Sequence, residues 1–249
     1  MANEVKAYIG KGQMYMRRLD QATGLVPIGE VSAFQLNIET DEKTLPSNTQ
    51  RGGGIAATAY SVSSMGISIT GHSFTDANLA QVLFGDATAL DVKTVTDEAH
   101  TAYEGGLVVL NNIPDLEEEI VVKDAETPAT VYVKDTDYSL STGGLKIIQG
   151  GNIANETDIT VDYKTKKQSS VEILTNSGYE YELFFEGFND ADNGNEFNVH
   201  IYRTKYSPTS GLGFIQDDFA ESALEGQALI DSTKSGSGIS KYAKITRVN

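Results

Sequence analysis

A mainly β fold with one α-helix and a small inserted β subdomain is what this sequence predicts, on three observations. The palette suits strands and turns: hydrophobic residues make up 39%, Gly numbers 24 against 5 Pro, and Thr, Val, Ile and Tyr recur throughout. Two long segments alternate apolar and polar residues with the period of a half-buried strand. Only one segment carries a helical period. With 249 residues the chain can bury a substantial core in one large all-β domain or two smaller ones.

Val5 to Ile9 and Gln13 to Arg18 read as two short strands separated by Gly10, Lys11 and Gly12, an N-terminal hairpin. From Val31 to Thr40, Phe34, Leu36 and Ile38 share one face, and Gln35, Asn37 and Glu39 the other. Asp41 to Gly54, with Pro46, Asn48 and three consecutive glycines, is too long for a tight hairpin and too polar for a core; it is either disordered or ordered by a partner. Ala57 to Thr70 resumes the strand pattern, with Met65, Ile67 and Ile69 alternating with Ser64, Gly66, Ser68 and Thr70. In Ser73 to Gly85 the period changes: Thr75 is placed to cap a helix, Leu79, Val82 and Leu83 share a face, and Gly85 ends it.

Residues 86–169 differ in texture, with short β runs at Leu107 to Leu110, Ile120 to Lys123, Thr130 to Lys134, Leu145 to Ile148 and Asp158 to Tyr163. They fit a small, Ig-like β subdomain inserted into a main domain of residues 1–85 and 170–249. The main pattern returns with Tyr179 to Phe188, a turn marked by Asn193-Gly194, Phe197 to Lys205, and a last strand around Gln227 to Asp231. Ser232 to Asn249, with the strand-like Tyr242 to Val248, reads as an arm.

Charge and composition remove several functions. Asp and Glu total 35 against 19 Lys and Arg, a formal net charge of −16, which opposes tight phosphate binding because cationic contacts dominate that affinity. No cysteine is present, so neither a disulfide framework nor a thiolate metal site is available. No secretory signal or apolar stretch of the ~20 residues needed to span a membrane is apparent. His72, His100 and His200 are far apart in sequence and belong to no metal-spaced set, so they read as packing or surface residues. GxSxG, GxxxxGK and strand-linked GxGxxG motifs are missing, and aligning Gly194 with the glycine of a calcium loop puts Ala191 and His200 where ligands belong. No catalytic or metal-binding residue and no cofactor is therefore expected. An adhesive or carbohydrate-binding β module, suggested by 12 tyrosines, and an acidic glycosidase, which needs two carboxylates about 5–10 Å apart, are the competing classes.

The C-terminal block, Tyr179-Glu180-Tyr181-Glu182-Leu183-Phe184-Phe185-Glu186-Gly187-Phe188, then Phe197 to Arg203, Gly213-Phe214-Ile215 to Asp217-Asp218-Phe219-Ala220, and Leu224 to Leu229, resembles the tail tube proteins of long-tailed bacteriophages. Gly29 to Phe34, the long loop near Asn48, the strand pair and the capped helix at Thr75 to Phe84 are similar to the same family. The resemblance covers about residues 1–85 and 170–249. It implies a β-sandwich with one flanking α-helix, six copies of which form a ring whose inner sheets join into a continuous β-barrel. It also implies a structural, non-enzymatic role in the virion after assembly in the host cytoplasm. The implied partners are further copies of the chain, a tape-measure protein, the tail tip or baseplate, a sheath if the tail contracts, and transiently passing double-stranded DNA. Related tubes serve contractile injection and type VI secretion systems.

On this reading the lumen wall is polar, net negative and poor in cations, and its candidates are Gln35, Asn37, Glu39, Ser68, Thr70, Glu180, Glu182 and Glu186. Lys43, Thr44, Leu45, Asn48, Arg51 and Gly53 are the candidates for contact with the adjacent ring.

Overall fold

The computed structural model describes residues 7–49, 51–126, 129–191 and 194–248. The protein is mainly β, built of antiparallel sheets, and none of them closes on itself among the described residues. The chain forms two compact units, Met1–Ala87 with Val171–Asn249, and Thr88–Ser170. In chain order the elements are β1 (Gly10–Arg18), β2 (Val26–Pro27), β3 (Val31–Pro46), β4 (Ile55–Gly71), α1 (Asp76–Val82), β5 (Asp86–Leu90), β6 (Thr94–Ala102), β7 (Leu107–Val109) and β8 (Val121–Asp124). They continue with β9 (Tyr138–Ser141), β10 (Gly144–Ile147), β11 (Thr157–Lys164), β12 (Gln168–Glu172), β13 (Glu180–Asn189), β14 (Asn195–Tyr206), β15 (Ser222–Ala228) and β16 (Ala243–Arg247).

The first unit is one curled sheet of order β2-β1-β13-β14-β15-β4-β3, with β16 also pairing with β14. Period-two alternation sorts its side chains. Met14, Met16, Leu183 and Ile201 from one half meet Ile67, Ile69 and Leu224 from the other in a single buried cluster. The rings of Phe34 and Phe185, 5.7 Å apart, close it sandwich-like. Each fully buried aliphatic side chain contributes about 1.5–3 kcal/mol. The helix packs Val82 into this core, and Thr75 caps it by accepting a hydrogen bond from the Asn78 amide.

The second unit has its own core, which includes Leu145, Ile147, Ile153, Ile159 and Val161, between the sheets β7-β10-β9 and β6-β11-β8. Asp137 is buried there and accepts from the amides of Val133 (2.8 Å) and Asn152 (2.9 Å) and from Asn152 Nδ2 (2.8 Å). The strands β5 and β12, in which the chain passes between the units, pair with one another.

Several sequence expectations change. Gly10 to Gly12 is not a turn but part of β1, which pairs with β13; a Cβ on Gly12 would lie 2.1 Å from the Glu186 carbonyl oxygen, so glycine permits close backbone approach. Of the expected partner strand, Val5 lies outside the described residues, while residues 7–9 are irregular. Asp41 to Gly54 is not a loop throughout: β3 runs to Pro46 and β4 starts at Ile55, and Gly52 and Gly53 between them take positive φ values. Lys43, Thr44 and Leu45 are strand residues opposite Ala59, Thr58 and Ala57.

Gly85 does not end the helix; Leu83 caps it, Phe84 takes the left-handed turn (φ 50°), and Gly85 lets the Glu172 carbonyl approach where a Cβ would lie 2.2 Å away. Thr130 to Lys134 makes only isolated bridges at Val131 and Lys134. The late strand is Ser222–Ala228 instead of Gln227 to Asp231, and Tyr242 to Val248 is no free arm, because β16 pairs with β14 from Phe197↔Arg247 to Ile201↔Ala243. Asn193 of the expected turn lies outside the described residues; Gly194 has φ 74° and donates its amide to the Asn189 carbonyl.

Candidate functional site

The described residues contain no group of three or more His, Asp or Glu side chains able to hold a metal ion, and no helix is long and apolar enough to cross a membrane. The features left to examine are surfaces: an arm, two polar faces and a groove.

The arm is the far half of the β3–β4 hairpin. Register pairs Ile38 with Met65, Thr40 with Val62, Glu42 with Tyr60 and Pro46 with Ile55, all on the side that nearer the base faces the core. There the core has ended. Ile38, Val62, Tyr60 and Ile55 are 64–68% exposed and form an apolar stripe continuous with the core face. The opposite side carries Asp41, Lys43 and Leu45, and the tip carries Asn48, Arg51 and Gly53, all exposed. Strands exposed on both sides gain little from burial, so within the molecule the ladder hydrogen bonds hold the arm.

The expected lumen residues form two groups. Gln35 opposes Ser68, which opposes Glu225; Asn37 opposes Gly66, which opposes Gln227; Glu39 opposes Ser64, whose hydroxyl donates to Glu39 Oε2 (2.7 Å). With Thr70 these form a row without Lys or Arg on the outer face of β3-β4-β15, and the same side of β3 continues into the arm with Asp41 and Lys43. Glu180, Glu182 and Glu186 stand on the outer face of β1-β13-β14, across the core from that row. The expectation of one shared wall is therefore corrected, since the sheet curls around its core and turns the two groups away from each other.

The second face is also not poor in cations. Arg203 grips Glu180 through two hydrogen bonds (2.7 and 2.8 Å), which hold that carboxyl below its usual range against the opposing effect of partial burial. Glu182 accepts from Arg17 Nε and bonds to His200 Nε2 (2.6 Å), and Glu186 accepts from the Tyr15 hydroxyl (3.2 Å). His200 also packs edge-on to Phe184 and Tyr202. Arg17, Arg203 and His200 were not legible as partners, because each reaches these glutamates only through strand pairing distant in sequence.

The groove, about 730 Å³, opens between β3 and the strands β1, β13, β14 and β16, and its lining mixes apolar side chains such as Phe34, Leu36 and Phe185 with polar ones. Sequence reasoning also missed the exposure of Phe214, Ile215 and Phe219 in the loop between β14 and β15 (83, 99 and 91%), although apolar residues amid Gly, Ser and Asp are the available signal. No curated protein matches the chain. The model of one family covers nearly all the described sheet and the second unit, from residue 7 to residue 246, and the chain therefore belongs to the family described as Protein of unknown function UCP028589.

Proposed function

We propose that this protein is a structural tail tube subunit of a long-tailed bacteriophage, assembling as stacked hexameric rings into a hollow conduit for double-stranded DNA. The observation that carries this reading is the β3–β4 arm, which projects an apolar stripe beyond the core where only another molecule can cover it. In a stacked tube the arm, with Lys43, Thr44, Leu45, Asn48, Arg51 and Gly53, reaches the adjacent ring. The outer face of β3-β4-β15 lines the channel, and neighbouring copies join these strands into a continuous barrel.

Its chemistry suits that place. Gln35, Asn37, Glu39, Ser68, Thr70, Glu225 and Gln227 present polar and anionic groups without a cation, so phosphates slide past a wall that gives them no counterion-releasing contact. The resemblance of the strand blocks to tail tube proteins supports the same reading, as does the acidic composition. Tape-measure protein, tail tip or baseplate and, in a contractile tail, a sheath are the partners this role requires. Negative-stain microscopy of the purified chain tests it: rings or tubes with a central hole are expected at high protein concentration or with a tail-tip initiator. Monodisperse monomers under both conditions would reject it.

A further inference from the structure

Among the described residues, two surfaces of the first unit are left uncovered and complement each other. One is the groove, bordered by β3, the terminal strand of the sheet order. Phe34, Leu36, Phe185 and Phe197 line it while only partly buried, and Ile245 at its lip is 63% exposed. Its rim carries Lys11 and Arg247 with a single acid, Glu196; Lys11 also pairs with Asp190 at 2.8 Å.

The other is the loop of residues 207–221. Its base is fixed by amide bonds from Ser207 to the Glu225 carbonyl and from Thr209 to the Val82 carbonyl, both 2.8 Å. Beyond that base it presents Phe214, Ile215 and Phe219 almost wholly to solvent, with Asp217 and Asp218 between them and no Lys or Arg. Three large apolar side chains so exposed on one loop mark an interaction surface. Within one molecule the two surfaces do not meet, since no residue of the loop lines the groove and its apolar side chains stay in solvent.

We infer that the 207–221 loop of one copy inserts Phe214, Ile215 and Phe219 into the groove of a second copy, with Asp217 and Asp218 meeting Lys11 and Arg247 at its rim. Plug and socket are different surfaces, so the contact is heterologous and propagates into a ring or a filament. It names the partner surfaces of the proposed tube, and it rests on that reading only for the sixfold closure.

The test uses the full chain in sedimentation velocity, with circular dichroism to verify folding. A plug variant, Ile215→Asp with Phe219→Asp, and two socket variants, Ile245→Asp and Arg247→Glu, are compared with the parent. Arg247→Glu serves if Ile245→Asp unfolds. Either lesion should raise the concentration needed for association, by about thirtyfold or more for the plug variant. An equimolar mixture of plug and socket variants should stop at one-to-one dimers, because each pair retains one intact plug and one intact socket. Asp218→Lys should restore association to Arg247→Glu. The inference is overturned by a plug variant that associates like the parent, by a mixture without dimers, or by a parent chain that stays monomeric. Rings that persist in the plug variant would sink the contact and leave the tube reading standing. Plug-dependent association without hollow rings or tubes would do the reverse.

Discussion

On the proposed reading, placing cations on the β3-β4-β15 face should turn a passive channel into one that grips DNA, selectively at low salt. Glu39 and Glu225 are both exposed and lie on the row that carries no Lys or Arg. Glu39→Lys with Glu225→Lys costs only the exposed hydrogen bond from Ser64, a loss of about 0.5 kcal/mol or less, so folding and ring formation should survive. A ring of six would then offer twelve lysines. If about half reach phosphates, binding with ~6 contacts weakens roughly a thousandfold between about 50 and 200 mM salt. Genome ejection, followed by dye fluorescence from particles whose tails are intact by microscopy, should stall near the lower salt and recover near the higher.

Glu180→Lys with Glu186→Lys is the matched control on the other face. It removes the partly exposed pair with Arg203, at about 0–1 kcal/mol, and the exposed bond from the Tyr15 hydroxyl, and should leave ejection unchanged. Normal ejection at low salt from verified Glu39→Lys, Glu225→Lys particles would refute the placement of this face at the lumen. Equal slowing by the two double variants would refute it as well.

Three further outcomes are expected. Joining Glu42 directly to its register partner Tyr60 through an Asn-Gly turn removes arm and no core, so the melting temperature should hold while tube growth stops; normal tubes from that variant, seen by electron microscopy, would discard the role of the arm. Asp137→Ala should lower the stability of the second unit by about 2–4 kcal/mol in denaturant titrations, since three donors lose a charged acceptor, and a change below about 0.5 kcal/mol would contradict that. Burial pushes the Asp137 carboxyl up, but its hydrogen bonds outweigh this and the net shift is down; its stabilisation is therefore complete above the unfolded value near ~3.9 and lost as pH falls through the lower folded value, an acid step the variant should lack. Replacing residues 88–170 by a short Gly and Ser linker should leave the first unit folded by circular dichroism and heteronuclear NMR, because each unit has a separate core.

What could be read from the chain alone follows what burial writes into sequence. Val31 to Thr40 and Ala57 to Thr70 lie partly over a core, so alternation exposed them, and Thr75 announced its cap. The far part of β3 buries neither side and has no apolar period, so Asp41 to Pro46 passed for loop. β15, Ser-Ala-Leu-Glu-Gly-Gln-Ala, contains no β-branched or aromatic residue, and β6 is bulged at Asp97, φ 54°, where its register with β11 shifts. The candidate faces were harder still. Alternation told which residues share a side of one strand, but only the curl of the whole sheet sets Glu39 and Glu182 across the core from each other.

The pairing of β1 with β13 carries a consequence for biosynthesis. Met14 lies opposite Phe185, and the groove is complete only with Ile245, a further 60 residues along the chain. At about 5–20 residues per second, a ribosome takes roughly 10–35 s to make the stretch between Met14 and Phe185. During that time the β3–β4 hairpin and the second unit can form from neighbouring segments, while the first strand waits for its partner. A nascent chain therefore has no finished socket. On the proposed plug-and-socket contact, neighbouring ribosomes on one message could not link their products through it before residue 245 of each chain had emerged and paired.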